Sequence, residues 1–369
     1  MWRQLLGVII VFLIIYPINA IDTLNTSNWW DDRWSYREEI EIPIDTSKEE
    51  AKFQPIDIHI VFDNSCWAVN ETYNSIRVIC EATNGFHELE SQVYDLNHID
   101  DHHIDSCGLV FLIPDFATGK ERYYVYYDDN EKPANNYIDH VSVEESYYRY
   151  EPISGYPFES KYFKVTQHGY IVYGVAYQGE FLGFSTAHQI TKFKGNTVDV
   201  SSPKNAETWA SFDFFYYYRD DVSKFSSTIQ TLLSKEILID GNLMVRFKIR
   251  STTARKDVET AAIYTYYYCP TIDKKIFVHV KHKALEELHI GMETDVGNIC
   301  GLQAGSMRSP SIEDLNFGRM YPYFHVYAED GSIKEYTLDL NPEYTPNGIP
   351  VLTVKDDVDL GKHAWASFD

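Results

Sequence analysis

From Asp22 onward almost every periodic segment of this chain alternates with a period of two residues, and that alternation restricts the fold more than any other feature. Glu39 to Pro43 (EIEIP), Ile56 to Phe62 (IDIHIVF), Leu109 to Pro114 and Tyr123 to Tyr127 are short runs rich in β-branched and aromatic residues, bounded by Asp, Asn, Gly and Pro. Successive side chains on a strand point to opposite faces, so each run can give one face to a core, the pattern of an antiparallel sandwich. Helical spacing is scarce, and its best case is Lys283 to His289 (KALEELH), two turns at most. With 29 Tyr, 20 Phe and 7 Trp in 369 residues the chain is too apolar to be disordered and long enough for about two domains. Two prolines and a glycine break the strand pattern between Glu151 and Pro157. The expected class is all-β: an antiparallel sandwich over residues 22–150, a linker at 151–157 and a larger antiparallel β-sandwich over 158–369.

Residues 1–20 carry one arginine, an apolar run from Leu5 to Ile15, then Pro17 and Ala20, the layout of a secretory signal peptide. The run is short for a membrane span, which needs about 20 residues, although an uncleaved anchor is the competing reading. The expectation is a secreted or extracellular cell-surface protein with no stable membrane span after cleavage. In an oxidising compartment the five cysteines would pair within each half: two of Cys66, Cys80 and Cys107, and Cys269 with Cys300. No C-x-x-C pair is present, which disfavours a zinc ribbon. Asn25-Thr26-Ser27 and Asn70-Glu71-Thr72 are glycosylation sequons. Trp209 to Asp213 (WASFD) recurs as Trp365 to Asp369, so the chain stops inside a strand-like run and reads as an incomplete polypeptide.

Three motifs of the first half, Trp30-Asp31-Asp32-Arg33-Trp34-Ser35-Tyr36-Arg37 with Ile40 and Ile42, Ser75-Ile76-Arg77-Val78, and Tyr123-Tyr124-Val125-Tyr126-Tyr127-Asp128, carry a likeness. Residues 29–132 resemble a jelly-roll domain of unknown function found in archaeal and bacterial secreted and surface proteins. The resemblance implies a lectin-like jelly roll joined to other extracellular modules, with no catalytic residue. The second half is similar, through its serial long strands and Gly241 to Arg246, to the large β-sandwich of polysaccharide lyases and mutarotase-like proteins. That likeness implies an architecture and a carbohydrate substrate class only.

The net charge of −23 opposes a nucleic-acid partner, because phosphates are held mainly by Lys and Arg. The positive minority is nevertheless concentrated. Between Asn242 and Lys283 stand nine Lys or Arg against three acids, a surplus of six. In Leu243 to Arg250, Leu243, Val245, Phe247 and Ile249 oppose Met244, Arg246, Lys248 and Arg250; in Ile276 to Lys281, the apolar Ile276, Val278 and Val280 oppose Phe277, His279 and Lys281. Between them Ile263 to Cys269 can offer Tyr264, Tyr266 and Tyr268 on one side. Paired as a meander, these runs would make a face of cations, imidazole and phenols suited to an anionic glycan. Equally, the same residues could form a solvated face paired with the protein's own acids.

If such a face is catalytic, it would support β-elimination of a uronic-acid polysaccharide. Arg246 would neutralise the sugar carboxylate, His279 would be the base and Tyr266 the acid, with Lys248, Arg250, Tyr264, Tyr268 and Lys281 binding substrate. His168 and His188 are alternative bases. Asn97 to Asp105 (NHIDDHHID) reads as a polar loop rather than a metal site, so no metal is expected. Asp128 to Glu131 and Asp356 to Asp359 carry oxygens of the kind calcium takes, without EF-hand spacing, and no other cofactor is indicated. Gly-x-Ser-x-Gly, Walker A and G-x-G-x-x-G patterns are absent. Two functions of different class are therefore open: a secreted protein that binds or cleaves acidic polysaccharide, and a non-catalytic extracellular adhesion or matrix protein.

Overall fold

The computed structural model describes residues 29–153, 156–181, 184–193, 206–213, 216–219, 223–226 and 230–287, with short segments between 289 and 368. Its elements are antiparallel strands, with one 3-10 turn at Glu49–Ala51 and no α-helix among the described residues. The expected turn of helix at Lys283 is not formed. Lys283 and Ala284 end a strand, and the Leu285 N–H donates to the Asp257 carbonyl at 2.8 Å instead of to its own segment. The chain divides into two compact units. Unit 1 holds Met1–Ser142, Ile239–Val245 and Thr265–Ile276; unit 2 holds Val143–Leu238, Arg246–Tyr264 and Phe277–Asp369.

Unit 1 is a two-sheet sandwich. Strands β1 (Tyr36–Ile40), β2 (Pro55–Trp67), β3 (Ile76–Ala82), β4 (Gly85–Leu89), β5 (Ser91–His98), β6 (His103–Leu112) and β7 (Arg122–Tyr127) form sheets of order β1-β7-β3-β4 and β2-β6-β5. The first strand pairs with the last and the second with the one before it, the nested pairing of a jelly roll. Alternation decides the core: Ile58, Ile60 and Phe62 of β2 are buried while His59 and Val61 face out. They meet Val78, Leu109, Phe111, Tyr123, Val125 and Tyr127 between the sheets.

β7 is buried on both faces, which explains its unbroken Tyr-Tyr-Val-Tyr-Tyr run. Tyr124 and Tyr126 point away from the core and are roofed by Trp29, Trp30 and Trp34. Arg37 lies 4.6 Å from the Trp29 ring and 4.7 Å from that of Tyr124, a cation held between two aromatic faces. Arg77, buried on the same side, is paired with Glu88 at 3.4 Å and donates to the Asn74, Ile76 and Pro133 carbonyls. The tryptophans and arginines of the opening motifs therefore close the outer face of a sheet.

Within the other sheet, the Tyr94 ring lies across Gly108, where a Cβ would collide with it. The Tyr94 hydroxyl donates to buried Asp57, whose second oxygen accepts from Tyr267 at 2.5 Å. Gly108→Ala is expected to cost about 1–3 kcal/mol by overpacking. An unchanged urea midpoint would show that Tyr94 does not occupy that place.

Cys66, Cys80 and Cys107 sit in this core as free thiols, which corrects the expected pairing among them. Cys66 Sγ donates to the Trp67 and Ser75 carbonyls. Burial pushes the Cys66 and Cys80 thiols up to about 12, so they pack as small apolar groups rather than as reactive thiolates. Cys269 Sγ lies 3.2 Å from Thr271 Oγ1, and Cys300, its expected partner, lies outside the described residues.

Unit 2 begins with β8 (Val141–Ile153), β9 (Tyr156–Gln167), β10 (Tyr170–Phe181), β11 (Phe184–Thr186), β12 (Gln189–Phe193) and β13 (Ala206–Asp213), which share one sheet. The stretch 151–157, expected to be a linker, takes in the end of β8 and the start of β9, neighbouring strands of that sheet, and the first segment of unit 1 ends at Ser142. β14 (Tyr216–Arg219) and β15 (Ser223–Ser226) pair with each other. β16 (Gln230–Asp240), β17 (Met244–Thr253), β18 (Val258–Tyr267) and β19 (Ile276–Ala284) follow as a four-stranded sheet in sequence order. The two larger sheets pack face to face: Phe163 of β9 lies 4.8 Å from Phe247 of β17, and Lys235 of β16 pairs with Glu145 of β8. The first WASFD copy lies in β13, and Ala366–Phe368 of the second form a strand.

Candidate functional site

The meander of β17, β18 and β19 exists, and β17 alternates as its sequence dictates. Val245, Phe247 and Ile249 are fully buried, whereas Arg246, Lys248 and Arg250 are part-exposed. Two contacts fix which residues of the next strands share the basic side. Arg250 forms an ion pair with Glu259 of β18, and Thr260, the neighbour of Glu259, bonds through its hydroxyl to His282 Nδ1 at 2.9 Å. Since neighbours on a strand face opposite ways, His279, Lys281 and Lys283 lie on the side of Arg250, and all three are exposed.

The tyrosines are on the other side. Tyr264 stacks on Phe247, with ring centres 5.3 Å apart and planes at 13°, and both Tyr264 and Tyr266 are 0% exposed. The expectation that they stand among the cations is corrected. The parity of two paired strands is set by the loop between them, here residues 254–257, where Lys256 has φ 62 and its N–H returns to the Thr253 carbonyl at 2.9 Å. With that loop the apolar side of β17 meets Tyr264. Tyr266 and Tyr268 belong to unit 1, where Tyr268 stacks on His140 at 4.0 Å and donates its N–H to the Leu243 carbonyl. Of the expected catalytic set, Arg246 is part-exposed on β17 and His279 exposed on β19, whereas Tyr266 of β18 is buried.

The alternative histidines have distinct positions. His168 and Gly169, with φ 50 and 77, form the two-residue loop between paired Gln167 and Tyr170, so His168 is a hairpin residue. His188 is enclosed. Its Nδ1 accepts from the Tyr264 hydroxyl at 2.9 Å and its Nε2 bonds Ser251 Oγ at 2.6 Å, while Ser251 donates onward to Gln230. This fixes the neutral tautomer with the proton on Nε2, and burial pulls the His188 pKa down to about 3. A Tyr-His-Ser chain resembles a catalytic relay, yet His188, Ser251 and Tyr264 are all buried, which leaves no face for a substrate. It is a satisfied core network. Sequence reading reached His188 and Tyr264 separately but not Ser251 or Gln230, because the partners are 63 and 76 residues away and no local spacing links them.

The acidic turn at Asp128 is structural. Asp128 is fully buried, pairs with Lys132 at 2.8 Å and accepts the N–H groups of Ser35 and Asn130, each at 2.9 Å. Burial acts to raise its pKa, but Lys132 and the donated N–H groups outweigh that and hold the carboxyl far below the usual range. In the His-rich loop, Asp100 binds His103 Nδ1 at 2.9 Å and caps two backbone N–H groups. Among the described residues no group of three or more His, Cys, Asp or Glu is arranged to hold a metal, and no helix is long and apolar enough to cross a membrane. Asp356 to Asp359 lie outside the described residues.

Fold and site together define an all-β protein of two antiparallel sandwich units with a basic strand face on the second. Family models, curated proteins and solved structures give no match to the chain.

Proposed function

We propose that this protein binds acidic polysaccharide without cleaving it, through the outward side of β17 and β19. The observation that supports this is the shared side of Arg246, Lys248, His279 and Lys281, where Glu259 is the one acid that the three strands contribute. Guanidinium and ammonium groups in a flat array match the repeated carboxylates or sulfates of an anionic glycan. Elimination chemistry needs an accessible acid beside those cations, and the enclosed tyrosines do not supply one. The jelly-roll resemblance of residues 29–132 adds the setting, a secreted or cell-surface protein of joined modules.

Incubation of the purified chain with a panel of uronic-acid polysaccharides tests this reading, with gel retardation and absorbance of unsaturated product followed separately. Retardation at low salt that weakens as salt rises, with no product, is expected, because exposed charges are screened within about 8–10 Å at physiological ionic strength. Product formation would make the protein a lyase, and neither signal would leave the adhesion or matrix role.

A further inference from the structure

We propose that a recess on the sheet of unit 2, separate from the basic face, is a binding site for one neutral hydroxyl group. In the register of β9, β10 and β11, Ser160 stands opposite Gly179, and Gly179 opposite Thr186. At Gly179 the space over the sheet is taken by its neighbours: a Cβ there would lie 2.6 Å from Thr186 Oγ1 and 3.8 Å from Gln189 Oε1, so both oxygens lean over the glycine. Ser160, Thr186 and Gln189 are 1%, 9% and 8% exposed, and Ser160 Oγ, Thr186 Oγ1 and Gln189 Oε1 have no hydrogen-bond partner among the described residues. Ser160 and Gln189 line a cavity of about 10 Å³, walled on its apolar side by the Tyr162 and Phe193 rings that close over Gly174. A space of that size holds one water-sized group.

The chemistry of the occupant follows from the lining. A buried oxygen without a partner is costly, and Ser160 and Gln189 on the cavity, with Thr186 beside Gln189 over Gly179, call for a common partner. Gln189 Oε1 only accepts, so the occupant must donate; the serine and threonine hydroxyls can donate in return. Among the described residues no charged side chain lines the cavity, so an ion would be buried uncompensated. A single O–H fits, giving its proton to Gln189 and receiving from Ser160 and Thr186. Two sources carry that group: a water molecule, or a hydroxyl of a polyol such as a sugar.

The test compares the full chain with Ser160→Ala and Thr186→Val, the second nearly isosteric. With a hydroxyl bound, each variant should lower Tm by about 2–4 °C, because it removes a made hydrogen bond. A Tm unchanged or raised in both variants would overturn the proposal, since removing a bare buried oxygen relieves its desolvation. Saturation-transfer NMR with methyl α-glucoside separates the sources. Transfer in the parent chain that is lost in Thr186→Val identifies a polyol; absent transfer with lowered Tm identifies water. A crystal structure showing no density within hydrogen-bond reach of the three oxygens would also overturn it.

Discussion

Replacing Asp128 by Ala is expected to destabilise the protein by about 3–5 kcal/mol, the cost of leaving one member of a buried ion pair without its partner. The site explains why so much rests on one carboxylate. It receives the Ser35 and Asn130 N–H groups and the Lys132 ammonium, while its backbone accepts from Trp67 and donates to Ser75. Lys132 in turn donates to the Arg33 carbonyl at 2.6 Å and lies over the Trp34 ring. Loss of the carboxylate therefore leaves the Ser35 and Asn130 N–H groups and the Lys132 ammonium without it, which loosens the tryptophan roof over β7. Denaturant unfolding followed by tryptophan emission reports directly on Trp29, Trp30, Trp34 and Trp67.

Lys132→Met should also destabilise, and the double variant should lose less than the sum of the two, because the charges no longer leave each other unpaired. A loss below about 1 kcal/mol for Asp128→Ala would contradict this assignment and reopen the acidic turn to other roles. The pH dependence has a definite sign. With the folded-state pKa depressed, the contribution is complete above the unfolded value of about 3.9 and is lost as pH falls through the folded value.

Acid should weaken unit 2 earlier and for the opposite chemical reason. Burial lowers the His188 pKa to about 3 and the His282 pKa to about 4, so both stay neutral when folded and take up protons near pH 6.5 when unfolded. Stability is then full above about 6.5 and falls as pH drops, by up to about 1.4 kcal/mol per pH unit for each histidine until the folded values are reached. The slope of His282 will be smaller, as its ring is partly exposed. His188→Asn is the informative variant. Asn tolerates the φ of 64 found there and cannot titrate, so its stability should be lower at neutral pH but flatter from pH 6.5 to 4. An unchanged slope would show that His188 is not the group being protonated.

The strands were legible because burial follows the two-residue period, as in Ile58, Ile60 and Phe62 against His59 and Val61. The cationic side of β17 was legible for the same reason. Which side of β18 would join it was not. A one-residue change of parity exchanges the two faces, and parity lies in the turn at residues 254–257 rather than in the strand's own residues. Pro152 and Pro157 look alike in a linker and near the ends of adjacent strands, and here they lie in β8 and β9. Cys66, Cys80 and Cys107 show a similar ambiguity, since a buried thiol and half of a disulfide occupy the same kind of strand position. The Asp57 site joins Tyr94 and Tyr267 across as many as 210 residues, a distance over which no sequence spacing carries information.

The proposed function stands most directly on binding of a uronic-acid polymer by the parent chain and by the combined Arg246→Ala, Lys248→Ala and Lys281→Ala variant, measured as retardation at low salt. These side chains are part-exposed or exposed, and a Tm measured on both chains shows that the variant is folded. The expected result is retardation of the parent and its loss in the folded variant. Equal retardation of the two would contradict a role for the β17 and β19 face.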